Sequence, residues 1–183
     1  MKVRIGVSNR HVHLKEEDFK KLFGDVVLEK DKDLYQPNQF ASIYKLTIKT
    51  LKNEIKNVRV LGPFRSYTQI EISKTDAYTL GLNPPIRTSG DLEGSEIVTL
   101  IGPCGQIVTN GCIIPDRHIH ITKEDKEKYG LNDILTVDIG NEKKSLLYDV
   151  HLKVSPNSCM EMHIDTDDAN GNFVKTGDEG EIK

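Results

Sequence analysis

An internal repeat is the feature of this sequence that most constrains its fold. The segment Arg10-His-Val-His-Leu-Lys-Glu-Glu-Asp18 returns as Arg117-His-Ile-His-Ile-Thr-Lys-Glu-Asp125. A second match relates residues 71–77 (Glu-Ile-Ser-Lys-Thr-Asp-Ala) to residues 163–169 (His-Ile-Asp-Thr-Asp-Asp-Ala). Sequence similarity between two parts of one chain indicates a duplicated structural unit. We therefore expect two homologous halves that are related by a pseudo-two-fold axis.

Short strands dominate the pattern along the chain, because Val, Ile, Thr and Leu cluster between Gly, Pro, Asn and Asp residues. One helix is predicted over 15–23, and the composition of 81–90 is that of a loop. Strands are predicted at 2–7, 41–50, 55–61, 67–73, 96–101, 106–109, 134–139, 145–154 and 159–164. We therefore expect a mainly β fold of two small β-barrels, each capped by short helices.

Composition excludes several other classes of protein. A chain of 183 residues is too short for a (β/α)₈ barrel, which needs about 250 residues. The net charge of −3 argues against a nucleic-acid surface, and no apolar run reaches the roughly 20 residues of a membrane span. The cysteines Cys104, Cys112 and Cys159 form no C-x-x-C motif, which excludes a thiolate zinc finger and a disulfide framework. We expect an intracellular protein in a reducing compartment, with Cys104 and Cys112 acting as small apolar residues.

The histidines follow the repeat and suggest metal binding. In an extended segment, residues two positions apart share a face, so each H-x-H motif points two imidazoles in the same direction. This arrangement suits a divalent metal ion such as zinc. The sixth histidine, His151, lies in an alternating strand and is expected to be structural. The five histidines within the repeat are His11, His13, His118, His120 and His163.

The repeat also assigns a role to Glu71, which occupies the position that matches His163. We expect one ligand set of His11, His13 and Glu71 and a second of His118, His120 and His163. Three protein ligands are typical of catalytic zinc, because a closed structural site has four. Nitrogen and oxygen donors without thiolate favour zinc, and they leave iron, cobalt and nickel open.

Other motif interpretations fail at identifiable residues. A cupin-like ligand spacing would need Glu17, which lies in the predicted helix. The H-x-H motif of amidohydrolases belongs to a barrel that this chain is too short to build. The segments 62–65 and 102–105 are Gly-Pro turns without the G-x-x-x-x-G-K-[ST] pattern of a P-loop.

Several motifs, in the same order, resemble those of the propanediol-utilisation type phosphotransacylases (phosphate propanoyltransferases). The resemblance runs from residue 3 to about residue 171. The matching segments are Ser8-Asn-Arg-His-Val-His-Leu14, Gln36-Pro-Asn-Gln-Phe-Ala41, Val58-Arg-Val-Leu-Gly-Pro63, Thr68-Gln-Ile-Glu-Ile-Ser73, Arg117-His-Ile-His120 and Glu161-Met-His-Ile-Asp-Thr-Asp167.

The resemblance implies two β-barrel domains, with the N-terminal strand belonging to the second. We therefore expect a first barrel at 10–115 and a second formed by 1–9 with 116–183. The resemblance also implies two zinc ions per chain, one in each of the two ligand sets that the repeat predicts. Phosphate would be held by Arg65, the arginine of the Gly-Pro-x-Arg segment. Coenzyme A contacts carry over to Ser8, Asn9, Arg10, Lys52, Arg59 and Asn170.

The sequence departs from the family pattern in two places. Asn38 stands where the family usually has Gly, and Asn tolerates a positive φ better than most residues, so we expect the turn to survive. Members of the family that are packaged in microcompartments carry an amphipathic N-terminal extension before the first strand, and we expect none here because the first predicted strand begins at residue 2. We therefore expect a free cytoplasmic enzyme.

The resulting expectation is a zinc-dependent phosphate acyltransferase that interconverts acyl-CoA plus phosphate with acyl phosphate plus CoA, the acyl group being acetyl or propanoyl. The alternative is a zinc-dependent hydrolase of a small phosphorylated or thioester substrate. A non-catalytic, zinc-stabilised assembly module would instead need closed four-ligand sites. We expect a homo-oligomer whose partners are acyl-CoA and phosphate, with no nucleic-acid or membrane partner.

Overall fold

The computed structural model describes the whole chain, residues 1–183. Its helices are α1 (Glu16–Phe23), α2 (Lys74–Leu80), α3 (Lys123–Tyr129) and α4 (Thr166–Asn172). None of them has the length and apolarity that crossing a membrane requires. The strands are β1 (Lys2–Ser8), β2 (His11–His13), β3 (Lys30–Asp33), β4 (Phe40–Lys49), β5 (Glu54–Gly62), β6 (Gln69–Glu71), β7 (Ile86–Arg87), β8 (Glu96–Ile101), β9 (Gln106–Pro115), β10 (His118–Ile121), β11 (Ile134–Ile139), β12 (Ser145–Val154), β13 (Glu161–Asp165) and β14 (Glu179–Ile182).

The chain divides into two compact units, and each contains a closed barrel of six strands. One unit is Arg10–Pro115, and the other combines Met1–Asn9 with Asp116–Lys183. In the first unit the strands follow the order β4-β5-β2-β6-β9-β8, and β8 pairs with β4 to close the barrel. In the second unit the closed order is β1-β13-β10-β12-β11-β14. The predicted mainly β fold of two small barrels is confirmed.

Each barrel is filled by its own apolar core. The first core includes Val12, Ile48 and Ile70, all of which are inaccessible to solvent. The second core is built in the same way from residues such as Ile5 and Ile119. Burying side chains of this size contributes about 1.5–3 kcal/mol each. The cores therefore hold the H-x-H strands, whose central residues they bury, in fixed positions.

The two barrels share one pairing pattern around their H-x-H strands. Strand β2 runs parallel to β5 and antiparallel to β6, and strand β10 runs parallel to β12 and antiparallel to β13. Strand β6 then pairs in parallel with β9, as β13 does with β1. Strands β1 and β9, each of which directly precedes an H-x-H strand in the sequence, are therefore equivalent. The internal repeat is confirmed at the level of strand order.

The helices begin and end where their sequences favour it. Helix α1 has three acidic residues in its first turn, which complement the helix dipole, and it ends at Gly24 with φ 83°. Its apolar face buries Phe19, whose ring centroid lies 4.9 Å from those of Phe23 and Tyr44. Helix α2 begins with a capping box formed by Ser73 and Asp76.

The structure differs from the sequence-based prediction at several strands, and β3, whose four residues are all charged and exposed, was not predicted. Strand β9 continues to Pro115 instead of ending at 109. Gly111, with φ 113°, makes this possible, because a Cβ at that position would lie only 2.4 Å from the carbonyl oxygen of Thr68. Strand β7 lies within the predicted loop 81–90 and is too short to show a periodic pattern. Strand β14 was not predicted, because its sequence Glu-Gly-Glu-Ile has low strand propensity. The turn at Asn38 forms as expected, with φ 61°.

Candidate active site

The first set of predicted ligands lies on two neighbouring strands of the first barrel. His11 and His13 belong to β2, and Glu71 on β6 is the direct partner of His11 in the antiparallel ladder. Because alternate side chains of paired strands share a face, all three side chains converge. Glu71 Oε2 lies 3.2 Å from His11 Nε2, and Glu71 Oε1 lies 4.0 Å from His13 Nε2. All three residues are buried.

The second set repeats this arrangement on β10 and β13. His118 and His120 belong to β10, and His163 is the direct partner of His118. The Nε2 atoms of His118 and His120 are 3.2 Å apart, and the ring centroids of His120 and His163 are 4.6 Å apart. His118 Nδ1 lies 3.0 Å from the carbonyl oxygen of Asp116, to which it donates its hydrogen. In this tautomer Nε2 is the nitrogen of His118 that carries the lone pair, and it points toward Nε2 of His120.

Both sets have the geometry of a metal site. In each set, one donor atom per residue lies within 4.8 Å of the other two. Two nitrogen ligands of a tetrahedral zinc ion, each at about 2.05 Å, lie about 3.3 Å apart. The 3.2 Å separation between donors is found in both sets. The residues of each set thus fit a divalent metal ion.

His151 takes no part in either donor set. It lies on β12 as the register partner of His118 in the parallel ladder, and it is half-buried. The equivalent register partner of His11 in the first barrel is Arg59, which is not a metal ligand by chemistry.

Arg65, the predicted phosphate residue, is held in place through one of its terminal nitrogens. Its Nη1 donates to Ser89 Oγ at 3.0 Å and to the Tyr67 hydroxyl at 3.4 Å, and the guanidinium lies 5.8 Å from the Tyr67 ring centroid. Nε and Nη2 make no hydrogen bond to the protein. These two N–H groups form the edge of the guanidinium that can grip two oxygens of one phosphate. Ser89 Oγ also accepts from Gln69, which in turn donates to Glu71, so the arginine and the first donor set are connected.

Arg10, a predicted coenzyme A residue, is engaged by a carboxylate of its own barrel. Its Nη1 donates to Asp76 Oδ1, and Asp76 is buried. The repeat equivalent, Arg117, makes the same contact with Asp168 through two hydrogen bonds of 2.7 Å. The hydrogen bonding of Asp168 raises the pKa of the Arg117 guanidinium. In both halves this ion pair joins the residue before the H-x-H strand to the helix that follows the third residue of the donor set, α2 in the first unit and α4 in the second.

The remaining predicted coenzyme A residues are divided between the two units. Lys52, in the turn between β4 and β5, donates to the carbonyl oxygen of Tyr78 at 3.1 Å and lines a cavity of about 540 Å³ that no predicted metal ligand touches. Arg59 on β5 bonds Asp31 and the Ser42 carbonyl oxygen. The other predicted residues, in the second unit, are Ser8, Asn9 and Asn170.

Cys112 is not an activated nucleophile. Cys112 is buried in the first core, and burial raises the pKa of its thiol to about 12. Cys104 is exposed and Cys159 is half-buried, and all three are free of disulfides. At neutral pH Cys112 is therefore a protonated, apolar residue.

Comparison with known proteins identifies the family. The sequence model of the phosphate propanoyltransferase family matches residues 4–175. The chain belongs to the phosphate propanoyltransferase family. A phosphate propanoyltransferase of Thermotoga maritima is 48% identical over 179 residues, which is 95% of this chain and 85% of the relative. A phosphate propanoyltransferase of Priestia megaterium is 48% identical over 97% of this chain and 84% of the relative. A phosphate propanoyltransferase of Citrobacter freundii is 42% identical over 92% of this chain and 82% of the relative.

The family resemblance seen in the sequence is confirmed, and membership of the phosphate propanoyltransferases makes the chain an acyltransferase. Sequence reasoning missed two polar residues beside the donor sets of this family member, Gln69 and Glu161. Each precedes the third ligand of its set by two positions on the same strand, so strand alternation places it on the ligand face. The repeat match at 71 and 163, extended two residues toward the N-terminus, was the signal that could have found them.

Proposed function

We propose that this chain is a zinc-dependent phosphate acyltransferase that interconverts acyl-CoA plus phosphate with acyl phosphate plus CoA. The observation that carries the proposal is the pair of three-ligand sets at equivalent positions of the repeat, in which every ligand except the half-buried His163 is buried. The names of the relatives support phosphate as the acceptor and propanoyl as an acyl group, and we extend the substrate class to acetyl.

The two donor sets would each hold one zinc ion. Zinc fits because the donors are imidazole nitrogens and one carboxylate, with no thiolate, and because three protein ligands leave a position open. Bound there, zinc would act as a Lewis acid toward the thioester carbonyl and as a counter-charge for the departing thiolate. The first set is His11, His13 and Glu71, and the second is His118, His120 and His163.

The reaction requires no nucleophile from the protein. A phosphate oxygen attacks the thioester carbonyl carbon, the carbon–sulfur bond breaks, and its electron pair leaves with the CoA sulfur as thiolate. We propose that Arg65 orients the phosphate through its free Nε–H and Nη2–H groups and offsets its negative charge. The connection of its Nη1 to Ser89 fixes the guanidinium before substrate arrives.

Coenzyme A recognition is proposed from the motif match and from charge. Lysine and arginine side chains are suitable partners for the phosphates of coenzyme A. For Arg10, the ion pair with Asp76 holds the guanidinium beside the start of the H-x-H strand. The residues proposed to contact coenzyme A are Ser8, Asn9, Arg10, Lys52, Arg59 and Asn170. We further propose that the enzyme acts in the cytoplasm as a homo-oligomer, with no nucleic-acid or membrane partner.

The ligand partition is tested by replacing one histidine inside the sets and one outside. His118→Ala should halve the zinc content, whereas His151→Ala, the matched control on the neighbouring strand, should leave it unchanged. Elemental analysis of the purified proteins measures both. If His151→Ala lost zinc while His118→Ala kept the wild-type zinc content, the proposed ligand sets would be contradicted.

A product assay on the wild-type protein separates the transferase from a zinc hydrolase. The transferase forms acyl phosphate only when phosphate is supplied, and it releases one CoA thiol for each acyl phosphate. A hydrolase would release CoA and free carboxylate at a rate that phosphate does not change. Hydroxylamine trapping of acyl phosphate, run beside a thiol assay, distinguishes the two.

A further inference from the structure

One position is occupied by a buried polar residue beside the metal ligands in both halves of the molecule. Gln69 on β6 and Glu161 on β13 each precede the third ligand by two residues. They face the second histidine of the H-x-H strand across the ladder, as the pairs His13–Gln69 and His120–Glu161. The exposed fraction is 0% for Gln69 and 3% for Glu161, so neither can exchange its hydrogen bonds for water.

Gln69 is held between the third ligand of the first set and a loop. Its Nε2 donates to Glu71 Oε1 at 2.5 Å and to Ser89 Oγ at 3.0 Å. Its Oε1 accepts from the backbone nitrogen of Gly90 at 2.8 Å. The amide is thereby oriented, with N–H toward the carboxylate ligand and the oxygen toward the backbone.

Glu161 occupies the corresponding place in the second set with the opposite hydrogen-bonding role. Its Oε2 lies 2.8 Å from His163 Nε2, and its Oε1 accepts from Arg4 Nε at 3.1 Å. The donor atoms that lie within 4.8 Å of one another in this set do not include Glu161. An ionised Glu161 carboxylate can only accept, which favours the tautomer of His163 that carries its hydrogen on Nε2 and its lone pair on Nδ1.

We propose that Gln69 and Glu161 are positioning residues, one for each metal site, which hold the third ligand through complementary hydrogen bonds. An amide N–H orients the carboxylate of Glu71, and a carboxylate orients the imidazole of His163. Hydrogen bonds of this kind fix the orientation of a metal ligand and increase its basicity. The inference rests on the proposed metal centre, and it assigns Nδ1 as the ligand atom of His163, in contrast to Nε2 of His118.

The two residue types are matched to their partners and cannot be exchanged. A glutamate at 69 would place an acceptor 2.5 Å from the Glu71 carboxylate, where the protein now supplies a donor. A glutamine at 161 would remove the charge that pairs with Arg4 and weaken the hydrogen bond to His163. Each site keeps one negative charge close to the metal, on the ligand Glu71 in the first barrel and on the neighbouring residue Glu161 in the second.

The test compares zinc affinity by chelator competition in the wild-type protein and in single variants. We expect Glu161→Gln to weaken zinc binding by about 10- to 100-fold at one of the two sites and to leave the other unchanged. Glu179→Gln on β14 is the matched control, because it makes the same change on the exposed surface of the same barrel. Gln69→Glu should weaken the other site, with exposed Gln106→Glu as its control.

A spectroscopic measurement tests the same proposal without a substitution. Long-range ¹H–¹⁵N spectra of the zinc-loaded wild-type protein should show His163 protonated at Nε2 and His118 protonated at Nδ1. A His163 ring that carries its hydrogen on Nδ1 would overturn the proposal, even if the variants fail to fold.

The possible failures are distinguishable. Fewer than two bound zinc ions in the wild-type protein would overturn the proposed metal centre and this inference together. Two zinc ions in the wild type with unchanged affinity in Glu161→Gln and Gln69→Glu would overturn the inference alone. Equal weakening at both sites in Glu161→Gln would show a general loss of structure instead of local positioning.

Discussion

Replacement of Arg65 is the most informative single perturbation of the proposed chemistry. The guanidinium is anchored by Nη1 to Ser89 and Tyr67, while Nε and Nη2 make no hydrogen bond to the protein and are proposed to bind phosphate. Arg65→Lys keeps the positive charge but replaces the two-pronged edge by a single ammonium group. Arg65→Ala removes the charge as well. Neither change touches a proposed metal ligand.

The expected loss follows from the number of hydrogen bonds that the free edge can make. A hydrogen bond to a charged group contributes about 1.5–3 kcal/mol, and single preorganised donors in other active sites contribute about 2.7–4 kcal/mol. We expect Arg65→Ala to lose about 2–4 kcal/mol of transition-state stabilisation, which is roughly a 30- to 900-fold decrease in kcat/KM for phosphate. Arg65→Lys should lose about 10- to 100-fold, because one of two bonds is kept.

The assay measures phosphate-dependent acyl phosphate formation, zinc content and CoA binding on one preparation of each variant. Zinc content and CoA binding should stay at wild-type values. Lys56→Ala, which removes an exposed positive charge from the same barrel, is the control for a general effect of charge. Near-normal turnover of Arg65→Ala would remove the residue from the mechanism, and loss of zinc would show that its role is structural.

Three further perturbations follow from the contacts around the site. Gly6→Ala should weaken zinc binding at one site about 10-fold, because the new Cβ would lie 2.9 Å from the carboxylate carbon of Glu161 and 3.1 Å from Cδ2 of the ligand His163. Gly171→Ala, whose Cβ meets nothing within 4 Å, should leave zinc binding unchanged, and chelator competition measures both variants. Ser89→Ala should raise KM for phosphate several-fold and change kcat less, because it removes the hydroxyl that accepts a hydrogen bond from the Arg65 guanidinium. Initial rates measured at varied phosphate concentration test this prediction. In the folded protein at pH 8, Cys112 should resist alkylation by iodoacetamide, because burial raises the pKa of its thiol to about 12, whereas the exposed Cys104 should react. Mass spectrometry of the labelled peptides measures both, and equal modification of the two cysteines would contradict this prediction.

The repeat made the architecture and the donor sets accessible from the sequence. An H-x-H motif needs only strand alternation to aim two imidazoles at one point, and the match of Glu71 to His163 supplied the third position in each half. Strands with regular alternation, such as β8, β11 and β12, were predicted with the bounds that the structure has. These features are local, so they can be read from short windows of sequence.

Features that depend on contacts between distant segments could not be predicted in the same way. The hydrogen bond from Arg4 to Glu161 joins residues that are 157 positions apart in the sequence, and the hydrogen bond from Arg10 to Asp76 joins residues that are 66 positions apart. The repeat can place Glu161 on the ligand face of β13, but its partner Arg4 is known only once β1 and β13 are seen to pair. Strand β14 escaped prediction for the same reason, since pairing with β1 and β11 outweighs the weak strand propensity of its sequence.

We propose that this chain transfers an acyl group to phosphate with two zinc ions, which are bound by Glu71 and the five histidines of the repeat. The most direct test removes the metal with a chelator and titrates zinc back while acyl phosphate formation and bound zinc are measured together. We expect the metal-free protein to be inactive and activity to rise with zinc until two ions are bound per chain, one for each donor set. Full acyl phosphate formation by protein that holds no metal would contradict the account.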